Sequence, residues 1–325
     1  MTDRRLVDEL HSGLRLPVIV APMFLISGPE LVIAAGRHGL IGAFPAANAR
    51  TTEDLALWLE RISARLGRAG RGDMWAINLI VHPTYERFEA ELDLVCAYRP
   101  RLVITALGSP KRPLERVHAY GGKVFCDVVT PEQARKAVDA GADGLVLVAS
   151  GAGGHTGRFS PFAFVEEVRA FWDGPLVLGG AIGSGRALRA AISLGADFAY
   201  MGTRFIAARE SLVSDENRAF LVRAGMSDIV TTSAVTGVPA NWLRESLERA
   251  GFTPDTYDLK KKVDFSDIQG DAKAWKNIWG AGQGVGRTSR VQSVGEIVAE
   301  LCASYGTSLA EDEARLAAWP RSSSP

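Results

Sequence analysis

A chain of 325 residues is long enough for one large α/β barrel, which typically needs roughly 250 residues, or for two ordinary domains. Hydrophobic residues make up 47% and charged residues 23%, which excludes a disordered chain and supports a large buried core. The 37 Lys and Arg balance the 37 Asp and Glu, so no bulk field favours nucleic acid or an anionic membrane, and small molecules are the expected partners.

The first sixteen residues, MTDRRLVDELHSGLRL, mix charges and carry no apolar stretch of the signal-peptide kind. No apolar run approaches the ~20 residues of a membrane span. Cys96, Cys126 and Cys302 form no CxxC pair and leave an odd thiol, which suits a reducing compartment. A cytoplasmic protein, monomer or homodimer, is expected.

Runs rich in Val, Ile and Leu recur along the chain: VIVAP at 18–22, LIGAF at 40–44, WAINLI at 75–80, LVITAL at 102–107, KVFCDVV at 123–129, GLVLVA at 144–149, PLVLGG at 175–180 and FAYMGTRFI at 198–206. They are apolar on both faces, as parallel strands covered by helices require. Helical spacing fills the gaps, with Thr130-Pro131 and Ser184 placed as helix starts. Eight strand-helix units predict a closed (β/α)8 barrel rather than an open sheet.

After Phe205 the rhythm breaks. Residues 210–286 read as a mostly helical insertion without further strand pattern, including the polar stretch DLKKKVDFSDIQGDAKAW, and forming part of the active-site wall. The expected division is a barrel of 1–209 plus 287–310, the insertion, and a frayed tail at 311–325 ending RSSSP.

LGGAIGSGRA at 178–187 and MGTRF at 201–205 place glycines after the last two strands. In a barrel those loops, with the start of a following helix, commonly bind phosphate, because bare backbone N–H groups and a helix N-terminus favour an anion. Gly179, Gly180, Gly183, Gly202 and Thr203 fit that role; plain tight turns are the bland alternative, and phosphosugar barrels use the same device.

The stretch ASGAGGHTGRFSP follows the sixth strand and sets His155 among glycines at the catalytic mouth. A general acid/base role follows for this imidazole, whereas His11, His38, His82 and His118 read as structural or exposed. There is no HxxxH, HxH or CxxC, so no metal site is expected. Ala21-Pro22-Met23 after the first strand, Asn78 on the third and Asp127 on the fifth also reach the mouth, either as core filler, turn amide and helix cap or as ligand contacts.

Together, APM, INL, GAGGHTG, GGAIGSG and GTRF resemble the nitronate monooxygenase family, formerly called 2-nitropropane dioxygenases, over residues 15–210. Its relatives include FMN-dependent enoyl-acyl-carrier-protein reductases and NAD(P)H:quinone reductases. The resemblance implies an FMN-containing barrel that oxidises a nitronate or nitroalkane with O2 to a carbonyl compound and nitrite, with His155 over the flavin. Cofactor contacts are then expected from Ala21, Pro22, Met23, Asn78, Asp127, Ala152, Gly153, Gly179, Gly180, Ala181, Gly183, Gly202 and Thr203. WKNIWGAGQGVG at 275–286 resembles one subgroup and adds Gln283 and Trp279, for which ordinary packing is equally open.

Asp127 and Leu178 depart from relatives that carry lysine and serine there, and a carboxylate beside a flavin would disfavour anionic substrates. Two further functions stay open: an NAD(P)H-dependent reductase of quinones or enoyl thioesters, and a flavin-binding accessory protein without turnover.

Overall fold

The structure, a computed structural model, describes residues 4–259, 275 and 277–318. The Lys-rich stretch of the insertion between 260 and 274 and the tail from 319 lie outside the described residues. Strands β1 Val18–Val20, β2 Ile41–Pro45, β3 Trp75–Ile80, β4 Leu102–Ala106, β5 Lys123–Val128 and β6 Gly144–Val148 pair in parallel in chain order. β7, only Gly154–His155, leaves that order; β8 Leu176–Gly179 and β9 Phe198–Met201 then close the barrel, β9 pairing with β1. The eight apolar runs are the eight barrel strands.

Helices α1 Arg5–His11, α2 Pro29–Arg37, α3 Thr52–Gly67, α4 Phe88–Tyr98, α5 Lys111–Ala119, α6 Pro131–Asp139, α7 Pro161–Arg169 and α8 Gly185–Leu194 surround the strands or, for α1, close the lower end. Leu10 of α1 joins Ile19, Phe125, Val146 and Phe198 in the barrel interior. Thr130 accepts a hydrogen bond from Gln133 N–H and Ser184 from Ala187 N–H, so both expected caps form.

The eighth run is shorter than its apolar composition suggests. The strand stops at Met201, and Thr203–Ile206 turns into a short helix, α9, after Gly202 takes helical backbone angles.

The insertion holds α10 Asp215–Arg223 and α11 Arg244–Arg249, but also two strands that the sequence reading did not anticipate, β10 Ile229–Thr232 and β11 Ala240–Leu243. They form an antiparallel pair, and β11 takes β7 as its second neighbour. α12, Val294–Ala318, continues past residue 310 into the stretch expected to fray. Ion pairs Arg186–Glu311 at 2.5 Å and Arg189–Asp312 at 2.9 Å hold that extension on α8. The crossing is close: a Cβ on Gly185 would lie 2.1 Å from the Leu301 carbonyl oxygen, so only glycine fits. Among the described residues no helix is long and apolar enough to cross a membrane.

Candidate active site

A cavity of about 1000 Å³ opens at the C-terminal mouth of the barrel, at the upper end of the range of small-molecule sites, roughly 300–1,000 Å³. Ala21, Pro22, Met23, Asn78, Asp127, Ala152, Gly153, His155, Gly179, Gly180, Ala181, Gly202 and Thr203 all line it. Gly183 and Gln283 are not on its wall. Gly183 sits against the Gly284 carbonyl, and Gln283 donates its N–H to Gly151 O at 3.0 Å from behind the loop.

The loop after β6 is held from three sides. Ala149 N–H bonds Gly179 O at 2.8 Å, Thr156 Oγ1 donates to Ala149 O at 3.2 Å, and Thr156 N–H bonds Pro239 O at 3.0 Å. His155 is therefore a strand residue, paired with Ala240. Asn241, buried beside it, donates from Nδ2 to Ala152 O at 2.7 Å and accepts from Thr231 Oγ1. Sequence reasoning missed this support because the partner strand lies in a segment with no strong period-two pattern.

Neither ring nitrogen of His155 has a hydrogen-bond partner, and Nε2 is buried. Burial drives its pKa from the ordinary 6.5 down to about 4, so the imidazole is neutral at pH 7. Its ring meets the edge of Trp275, centroids 5.6 Å apart, and Trp275 packs at 4.3 Å on Trp242. Trp275 lines the cavity, whereas the sequence candidate Trp279 packs on Phe220 at 4.9 Å.

Asp127 differs from the sequence expectation in its charge. Burial raises its pKa from 3.8 to about 7, so about half of the population carries a proton at pH 7 and most of it does at lower pH. Tyr200, absent from the sequence candidates, also lines the cavity. Its inward position on β9, two residues after Phe198, was the available signal.

The glycine loops have backbone that few side chains would tolerate. Gly180 has φ +137°, and a Cβ there would meet Ser150 O at 2.8 Å. Ala181 follows in left-handed backbone at φ 56°, unusual for a residue with a side chain, and bonds Gly151 O at 3.3 Å. Thr203 Oγ1 accepts from Gly282 N–H at 2.9 Å, tying the insertion to the start of α9. Among the described residues no group of three or more His, Cys, Asp or Glu is placed to hold a metal ion.

The family model described as nitronate monooxygenase matches residues 72–304. A nitronate monooxygenase of Pseudomonas aeruginosa is 29% identical over 287 residues, 75% of this chain and 80% of that protein. A (3aS,4S,5R,7aS)-5-hydroxy-7a-methyl-1-oxo-octahydro-1H-indene-4-carboxyl-CoA dehydrogenase of Rhodococcus jostii is 27% identical over 243 residues, 74% of this chain and 67% of that protein. The matched stretch spans between 63% and 80% of the lengths of such relatives. Among solved structures, a nitroalkane oxidase of Streptomyces ansochromogenes superposes with TM-score 0.77 at 24% identity, covering 93% of this chain and 99% of that one, a likeness of fold.

Proposed function

Because the chain belongs to the nitronate monooxygenase family, we propose that it is an FMN-dependent oxidoreductase that converts an alkyl nitronate and O2 into a carbonyl compound and nitrite. The observation that carries this reading is His155, a neutral imidazole with a buried, unpartnered nitrogen on the wall of the large cavity.

Three unpartnered buried polar atoms, His155 Nε2, Asp127 Oδ1 and Tyr200 Oη, together with the glycine loops, suit a large polar cofactor in this space. The Gly179–Ala181 and Gly202–Thr203 backbones would hold the phosphate, and Ala21, Pro22, Met23, Asn78, Ala152 and Gly153 would border the ring. FMN, when bound, takes up the electrons released by the substrate and delivers them to O2.

A neutral imidazole offers one donor and one acceptor nitrogen. With its pKa near 4, His155 is a poor proton acceptor at pH 7 and a good hydrogen-bonding group. It therefore suits a substrate that arrives already deprotonated, a nitronate rather than a nitroalkane. The apolar wall around it, including Trp275, excludes water from the anion.

A second reading is favoured by one observation. Asp127 retains a proton near neutral pH, and reduction of an enoyl thioester requires a proton beside the hydride. An NAD(P)H-dependent reductase would use it so. Anaerobic rapid mixing of the flavin-loaded protein separates the two. Reduction by propionate 3-nitronate, slowed roughly 10²–10³-fold in His155→Ala as a lost hydrogen bond to developing charge implies, supports the monooxygenase; fast bleaching by NADH or NADPH with no response to nitronate overturns it.

A further inference from the structure

Two polar groups on the cavity floor have no partner, and the proposed nitronate oxidation gives neither a task. Side chains alternate along a strand, so Asp127 and Tyr200 point inward two residues beyond Phe125 and Phe198, which are fully buried in the barrel interior. Both line the cavity. Each is half-buried by area because its remaining surface faces the cavity, while Asp127 Oδ1 and Tyr200 Oη are covered and without a hydrogen-bond partner.

A buried carboxyl normally persists only when a cation or donor pairs with it. Among the described residues none reaches Asp127, and the basic residues on the same cavity, Lys136 and Arg158, make no ion pair or hydrogen bond with it. The local solution is to stay neutral. Burial keeps the proton on most of Asp127 below about pH 7, and burial together with Asp127 pushes the Tyr200 phenol well above its ordinary value. The two groups do not bond each other, so the hydrogen-bonding capacity of both is unused.

We propose that Asp127 and Tyr200 form a two-donor oxyanion site on the cavity floor, which receives a planar, delocalised oxyanion: a nitronate, or the enolate of a carbonyl or thioester. Neutral donors in an apolar site stabilise such charge without the solvation cost of a buried cation. No proton leaves either residue; each only shares it in a hydrogen bond. The nitronate case rests on the function proposed above, and the N1–C2=O edge of a reduced flavin presents the same chemistry.

The test uses oxidised, flavin-loaded protein titrated with 4-nitrophenol near pH 6 and followed by difference absorbance. Asp127→Leu and Tyr200→Phe each remove one donor, while Asp127→Asn keeps one. If the anion is the substrate's, the first two variants weaken phenolate binding roughly tenfold to a hundredfold, the loss expected for a hydrogen bond to charge, and Asp127→Asn restores most of it. If the anion is the flavin's, phenolate affinity is unchanged, but the same two variants raise the pH at which the reduced flavin loses its N1 proton by about one unit or more. The proposal is overturned if flavin-retaining Tyr200→Phe and Asp127→Leu proteins alter neither quantity. Wild-type protein that binds phenolate through these residues yet is not reduced by nitronate would instead sink the proposed activity and leave the oxyanion site standing.

Discussion

Ala240 of β11 lies directly opposite His155 of β7, so a strand pair, rather than a loose glycine loop, sets the height of the imidazole in the cavity. The same pair brings Asn241 opposite Gly154, where its amide closes on the Ala152 carbonyl.

Asn241→Ala leaves that carbonyl and Thr231 Oγ1 without their partner. A loss of about 1–3 kcal/mol of stability is expected in denaturant unfolding, with a larger proportional fall in kcat/KM for nitronate than in flavin content. Unchanged turnover in the folded variant would show that His155 does not depend on this strand pair.

Gly180 and Gly202 should respond differently to substitution. A side chain at Gly180 meets both positive φ and the Ser150 carbonyl, so Gly180→Ala should impair folding itself. At Gly202 the nearest atoms to a Cβ belong to the Met23 and Ala21 side chains, at 3.3 and 3.5 Å. Gly202→Val should therefore fold and lose FMN affinity by at least tenfold, measured by recovery of flavin fluorescence; stoichiometric tight FMN in the variant would defeat the phosphate assignment.

Asp127 also predicts how stability depends on pH. Its folded pKa, about 7, lies above the ordinary 3.8, so the folded state binds more proton between those values. The contribution is fully present below about pH 4 and is lost as pH rises to about 7. His155, lowered to about 4 from 6.5, acts in the opposite sense and costs stability as pH falls below 6.5. Melting of Asp127→Asn against wild type, both without flavin, should show the variant gaining relative stability between pH 4 and 7 and no further above it.

Glu91 is fully buried, accepts from Tyr85 Oη at 2.6 Å and pairs with Arg87 at 3.0 Å. Burial is the larger influence and raises its pKa to about 7 against the lowering by Tyr85 and Arg87. Arg87→Met strands the carboxylate, with an expected loss of roughly 3–5 kcal/mol when it is charged. Urea unfolding should register a larger loss at pH 8 than at pH 5, where Glu91 is protonated in either protein; equal losses would mean that Arg87 acts through packing and its hydrogen bonds to the Ala49 and Arg50 carbonyls and not through Glu91.

The barrel was legible because parallel strands covered on both faces must be largely apolar, and runs such as LVLG and GLVLV are. That the glycine loops and His155 reach the cavity was legible because their places after the barrel strands put them at its mouth. The inserted sheet was not: IVTT and ANWL are four residues each, and the third strand is two residues in the loop after β6. Nor could spacing reveal that Asp127 holds a proton, since that state depends on which neighbours are missing around it.

The pairing of β7 with β11 also fixes when the protein becomes competent. Synthesis proceeds from the N-terminus, and contacts distant in sequence close late. A nascent chain that has exposed all eight barrel strands, through Met201, still holds His155 on an unpartnered loop. Only after Ala240 and Asn241 emerge can the imidazole take its place, so a chain that stops short of them lacks the strand pair that seats His155.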